Sequence, residues 1–287
     1  MAQLIQMRQR IKAIETIKKI THAMRLISMS MHSRLRNRAP HIEEYQKEIN
    51  ELFEKVSRST SSWKSPIMHP ETTTNAQSLL ILVASEKGLC GNFNSNLFKF
   101  FEQSIPEQKL NNVSIITVGK NAINYTKKRN FKNILKTFEP FSSARLDFVA
   151  GSIIDIIQNA EKPFSSVTVV ANTLKSFFVQ QPHSTTLIPF EKSTTEQTPS
   201  TRTREPYSWE QEPHEILEDL AVQFLTARMY HLLFQSILSE QASRFISMDN
   251  ATRNAKQLLE DTQLRYNKLR QAKITSELTE LSASFQS

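Results

Sequence analysis

Glycine and cysteine are both scarce here: four glycines and one cysteine in 287 residues. So few glycines exclude a turn-rich all-β protein, and the first of them, Gly88, comes only after nearly a third of the chain. The single cysteine, Cys90, excludes a disulfide framework and a cysteine-rich zinc site, and fits a reducing interior. No segment approaches the roughly 18 apolar residues that span a bilayer. Helical periodicity begins almost at Met1, which predicts neither a signal nor a transit peptide. A hydrophobic content of 39% is low for one compact core of this length, so a domain plus an extended element is expected.

Acidic residues are short at one end only. Residues 1 to 38 hold nine basic side chains (Arg8, Arg10, Lys12, Lys18, Lys19, Arg25, Arg34, Arg36 and Arg38) against Glu15 alone, a balance equal to the net charge of +8. The residues leave two readings open, a solvated helix face or a face for an acidic partner.

What the sequence does contain is length without interruption. From His214 to Ser287 there is neither glycine nor proline. Apolar or small residues return in steps of three and four: Leu238, Ala242, Phe245, Met248, Thr252, Ala255, Leu259, Thr262, Tyr266 and Leu269. That pattern predicts one helix with a narrow coiled-coil seam, roughly 110 Å long at about 1.5 Å per residue. Such a helix outruns any single-domain core, and its small seam residues invite a second helix. The one other segment long enough is the N-terminus, where Leu4, Met7, Ile11, Ile14, Ile17, Ile20, Met24, Ile27 and Met31 predict one stripe, continued by Ile42, Tyr45, Ile49, Leu52 and Val56. Pro40 is expected to kink or interrupt that helix.

Between the ends, strands alternate with helices. Strands are expected at residues 79–83, 113–118, 135–138 and 167–171, and a hairpin or edge strand over 177–189. Helices are expected near 94–103, where Asn94 would cap, and over 119–128 and 144–160. The expected organisation is an N-terminal helix (1–58), a linker (59–74), a Rossmann-like α/β domain (75–206) and a C-terminal helix (207–287). The fold class is thus an α/β domain between two terminal helices paired as a long antiparallel coiled coil.

Catalytic patterns fail on spacing. Gly88 and Gly91 follow the first strand without the third glycine of a dinucleotide fingerprint, and Gly119-Lys120-Asn121 lacks the upstream glycine and the hydroxyl of a P-loop. His22, His32 and His41 are scattered, and His214-Glu215 has no second histidine at ligand spacing. Cys90 has no local base and reads as a small residue in a tight turn. No cofactor is expected. A basic coiled-coil protein binding nucleic acid stays open as an alternative, although aromatics are sparse among the basic positions.

Three stretches resemble the γ subunit of the F-type ATP synthase, the central stalk of its F1 sector. They are residues 20–24 (ITHAM), 85–96 (SEKGLCGNFNSN), and the pair 239–244 (SEQASR) and 248–252 (MDNAT) followed by 266–275 (YNKLRQAKIT). The resemblance implies a rotor shaft inside a ring of α and β subunits, with the α/β domain at its foot bound to the ε subunit and the c ring. It implies no active site, and membrane association only through the complex, at the cytoplasmic face of a bacterial inner membrane. Arg270, Gln271 and Thr275 match positions meeting the β subunit's catch loop, Arg244 another β-facing position, and Met24 one near an acidic helix-turn-helix of β. The chain departs from the family at His22 and Met31, where lysines are common, and at Glu44, where proline is common.

Overall fold

Heptad spacing governs both ends of the chain, and a doubly wound sheet fills the middle. The computed structural model describes residues 2–59, 68, 77–104, 113–189 and 212–284. Helix α1 (Ala2–Ser59) and helix α5 (Pro213–Ser284) lie antiparallel as one rod. Arg8 meets Tyr266, Thr21 meets Thr252, Arg25 meets Asp249 and Arg38 meets Tyr230, so each step along one helix is a step back along the other.

The seam of α1 differs from the expected stripe beyond Ile14. Ile17, Ile20 and Ile27 are more than half exposed, as is Tyr45, and Leu52 is 41% exposed. Inward positions over the upper part are instead Lys18, Thr21, Arg25, Ser28, His32 and Leu35; of the expected stripe, Met24, Met31 and Ile42 are half-buried, and Ile49 and Val56 are buried, joined by Phe53. The reason is period. Steps alternating between three and four keep a stripe on the seam, whereas Ile14-Ile17-Ile20 takes two threes in succession and rotates onto the neighbouring face. Along α5 the expected seam holds from Leu238 to Tyr266, and Leu269 lies outside it at 41% exposure. With Tyr266 opposite Arg8, α1 reaches its start at Ala2 about six residues further along α5. The last turns of α5 therefore extend alone.

Pro40 does not interrupt α1. Leu35 before it is in the core, and Ala39 and Ile42 pack against that core, so tertiary contact carries the helix through the missing hydrogen bond.

The foot has the order β1 (Ser78–Val83), α2 (Phe93–Ser104), β2 (Val113–Val118), α3 (Lys120–Lys128), β3 (Ile134–Phe138), α4 (Leu146–Gln158), β4 (Ser166–Ser176) and β5 (Val179–Ile188). The sheet runs β3-β2-β1-β4-β5, parallel except for β5. β1 and β2 are buried on both faces, as their unbroken apolar runs require. One face, with Leu79, Ile81, Val83, Ile116 and Val169, packs on α4, α5 and the lower part of α1 in the main core. The other, with Leu80, Leu82 and Val170, packs on α2 and α3. The expected linker over 59–74 lies, apart from Ser59 and Met68, outside the described residues, as do residues 191–206, where the sequence predicts a polar surface loop.

Asn94 is not a cap. Helix α2 begins one residue earlier, and the Asn94 carboxamide turns back to Ser85, accepting from its backbone N–H at 3.2 Å and donating to its Oγ at 2.7 Å.

Candidate functional site: the joint of rod and foot

In a doubly wound sheet the ligand crevice lies beyond the carboxyl ends of the strands, where the strand order reverses. Here the reversal falls between β1 and β4, since β2 and β3 extend the sheet to one side of β1 and β4 lies on the other. The turn after β1 is Glu86-Lys87-Gly88-Leu89-Cys90-Gly91, and it binds the rod. Arg244 donates from Nη2 to the Lys87 carbonyl at 2.8 Å and from Nε to the Gly88 carbonyl at 3.1 Å. Ser243 Oγ donates to the Cys90 carbonyl at 2.8 Å. Glu240 accepts from the Glu86 N–H at 3.4 Å and pairs with Arg244 at 2.5 Å.

The spacing of Glu240, Ser243 and Arg244 at i, i+3 and i+4 puts all three on one helix face. Glu240 and Arg244 are 4% and 3% exposed, so this ion pair is sealed from solvent. Burial pushes the Glu240 carboxyl up from its ordinary range, and Arg244 opposes that shift. Burial also pushes the Cys90 thiol up, which leaves it a packed side chain rather than a reactive one.

The turn is shaped for this contact. Leu89 sits at φ 62 and is 61% exposed, a left-handed conformation that a non-glycine residue adopts at a cost. Gly91, at φ +59, brings the backbone against α5: a Cβ there would lie 3.6 Å from Ser247. Behind the turn, Ser85 and Glu86 knit three strand ends together. Asn121 donates to the Ser85 carbonyl and Oγ. Glu86 Oε2 accepts from the N–H groups of Lys120 at 3.3 Å and Phe141 at 2.9 Å. The turn that binds the rod is thus tied to the ends of β1, β2 and β3 by hydrogen bonds, those of Glu86 charge-assisted.

Above the joint, Arg25 binds Asp249 across the rod at 2.7 Å, and Arg253 binds the same carboxylate. Hydrogen bonds from Arg25 and then Arg253 hold the Asp249 carboxyl below its usual range. A depressed folded-state value means the stabilisation is present above the unfolded value and lost as pH falls through the folded one. The Asp249→Asn variant is expected to lose about 1 kcal/mol at neutral pH, and the difference from the parent should vanish under acid. Denaturant titrations at both pH values check this; equal stability at neutral pH would remove the bridge from the account.

The positions singled out in the sequence fall in different places. Met24 is half-buried at the seam's edge, next to exposed Ile20 and Ile27. Arg270, Gln271 and Thr275 are exposed at the free end of α5, where Thr275 Oγ donates to the Gln271 carbonyl at 3.0 Å. Arg244 is turned inward, and its guanidinium is engaged within the chain. Glu240, Ser243 and Glu86 are joint residues that single-position reading did not pick out. The signal available for them was the i, i+3, i+4 spacing around Arg244 in the SEQASR stretch.

A helical shaft fastened through the crevice where an α/β domain would otherwise hold a ligand defines a force-transmitting stalk. The family model for the ATP synthase matches residues 3–287, and the chain belongs to that family. It is 31% identical over 291 residues to the ATP synthase gamma chain of Chlorobium chlorochromatii, covering 99% of this chain and 98% of the relative. It is 29% identical to that of Geotalea uraniireducens over 289 residues, 98% and 97% of the two chains. Its fold is similar to a chain of the Euglena gracilis mitochondrial ATP synthase OSCP/F1/c-ring structure, with a TM-score of 0.71, 16% identity, and coverage of 99% of this chain and 94% of that one. A chain of the rotor structure from the same organism is similar with a TM-score of 0.65 and 14% identity, covering 95% and 99%.

Proposed function

We infer that this chain is the central rotor-stalk subunit of an F-type ATP synthase, coupling ion-driven rotation of the c ring to ATP synthesis or hydrolysis in the ring of α and β subunits. The observation that carries this is the antiparallel rod of α1 and α5, fastened at its base to the foot by Glu240, Ser243 and Arg244, in a chain matched over its length by γ chains. The chain has no active site of its own and takes no cofactor. An asymmetric shaft presents a different face to each β subunit, and a rotor shifts nucleotide states only through such differential contacts.

Met24, Arg270, Gln271 and Thr275 are the proposed β contacts on the rod. Around Met24, exposed Ile17, Ile20 and Ile27 give an apolar strip, and the basic residues of α1 flank it, which suits an acidic and partly apolar partner surface. The basic helix that left nucleic acid open in the sequence has its partner in this reading. Arg244 acts within the joint and supports the β contacts through it. The foot is the proposed seat of the ε subunit and the c ring. Among the described residues no helix is long and apolar enough to cross a membrane, so attachment would run through the complex, at the cytoplasmic face of a bacterial inner membrane.

Co-purification tests the reading: a tagged chain is expected to recover α, β and ε subunits from its host, and recovery of none overturns it. The double variant Arg270→Ala, Gln271→Ala is expected to lower ATP synthesis several-fold with unchanged helicity by circular dichroism, because both side chains are exposed on a lone helix. Unaltered synthesis would take those residues out of the mechanism.

A further inference from the structure

The turn joining β4 and β5 breaks a local rule. Ser176 pairs with Val179, leaving the two residues Phe177 and Phe178 to close the hairpin. Two-residue hairpins favour turns with positive φ, hence Asn-Gly or Gly-rich pairs. Neither phenylalanine has positive φ, and Phe178 is 77% exposed. The register is irregular between Leu174 and Ser176, and Gln180 Nε2 ties back to the Phe177 carbonyl at 2.7 Å. A turn made of residues that do not favour turns is held from outside.

The holder is the rod. The Phe177 ring lies edge-on to His32 of α1, with centroids 4.9 Å apart and planes at 84°, and 5.4 Å from Phe245 of α5. One aromatic side chain from the foot thus touches both rod helices at once. This contact is separate from the Gly88 turn, whose bonds to α5 run through Glu240, Ser243 and Arg244. His32 is 3% exposed, and its Nε2 has no hydrogen-bond partner among the described residues.

We propose that Phe177 is a positioning residue for torque transfer, a latch that keys the foot to both helices of the rod, with His32 as its socket on α1. This rests on the rotor-stalk reading. The Gly88 turn holds α5 through polar bonds, whereas Phe177 bears on α1 and α5 together, where a twisting load would slide one helix past the other. A wedge against both opposes that slip. An edge-to-face contact with His32 and a tilted one with Phe245 supply the attraction, and the short hairpin supplies the stiffness.

The socket makes the latch titratable. Burial first, and then the charge of Arg36 on the same helix, lower the His32 pKa from its ordinary 6.5. The buried charges of α5 in this region, Glu240 and Arg244, pair with one another, and Lys175 on the hairpin is exposed. A lowered pKa in the docked state means docking is at full strength above the undocked value and weakens as pH falls below it.

The test uses the assembled complex in inverted membrane vesicles, comparing ATP-driven ion pumping with ATP hydrolysis. Phe177→Ala is expected to leave hydrolysis near the parent rate while pumping per ATP falls about fivefold, with faster amide exchange confined to the hairpin tip. Phe177→Tyr should restore the ratio. On going from about pH 7.5 to about pH 6 the parent ratio should fall, and that of His32→Phe should not. A Phe177→Ala complex that pumps as the parent does, or a His32→Phe complex with the parent's pH profile, overturns the latch and leaves the stalk reading standing. A parent chain that never enters the complex overturns the stalk reading, and the latch with it.

Discussion

Arg244→Ala is expected to destabilise the protein by about 3–5 kcal/mol, the usual cost of removing one partner of a buried ion pair. Glu240 would be left 4% exposed with no countercharge, and the carbonyls of Lys87 and Gly88 would lose their donor. Lysine at this position should rescue only part of the loss, because one ammonium cannot reproduce a planar fork that reaches two carbonyls and a carboxylate. The deficit carries a pH signature. Burial already raises the Glu240 pKa, and Arg244 is the group opposing that rise. Without it the carboxyl binds a proton more readily in the folded state, so the variant's deficit should shrink as pH falls toward the unfolded carboxylate value. Hydrogen exchange of the amides from Gly88 to Asn94 measures the effect locally. Exchange as slow as in the parent would mean that the pair does not hold the turn.

Gly119→Ala is expected to cost about 3 kcal/mol. A Cβ there would sit 2.3 Å from the Ala84 carbonyl oxygen, and the residue's φ of +88 is one that side chains rarely tolerate. The oxygen has no room to retreat, because it follows β1, which is paired on both sides, and the Ala84 N–H is bonded to the Val118 carbonyl at 3.0 Å. Gly151, inside α4, has open space where a methyl group would go, with nothing within 4 Å, so Gly151→Ala should instead stabilise by about 0.5–1 kcal/mol through helix propensity. Thermal unfolding of the pair separates steric conflict from glycine content. A Gly119→Ala protein melting with the parent would show that the β1–β2 corner yields.

Much of the architecture is legible in the sequence because it is written in periods. The unbroken run of α5 and the apolar strands β1 and β2 lie where spacing and composition place them, and the Pro182-bearing segment is an edge strand. The seam of α1 is the instructive failure. Ile17, Ile20 and Ile27 are better hydrophobic residues than Lys18, Thr21 and Arg25, yet the latter face α5. Hydrophobicity alone cannot choose between adjacent helix faces when a partner offers polar groups; Thr252 and Asp249 meet Thr21 and Arg25 across the seam and decide the rotation. The exposed isoleucines then become surface available to another subunit. Of the site residues, Arg270, Gln271 and Thr275 lie on open helix, where local sequence suffices to place them. The role of Arg244 could not be read the same way, since the carbonyls it binds are 156 and 157 residues away in the chain.

By itself the sequence determined that two helices too long for any core flank an α/β layer, and that the glycines after β1 lack phosphate-cradling spacing. Those are consequences of period and of local backbone chemistry, which act over a few residues. Only the tertiary structure decided what occupies the crevice beyond β1, which helix face forms the seam, and that Phe177 reaches both helices of the rod. Each of those depends on groups far apart in sequence being brought within hydrogen-bond or ring-contact distance, where burial makes a pairing obligatory and an unpaired charge costly.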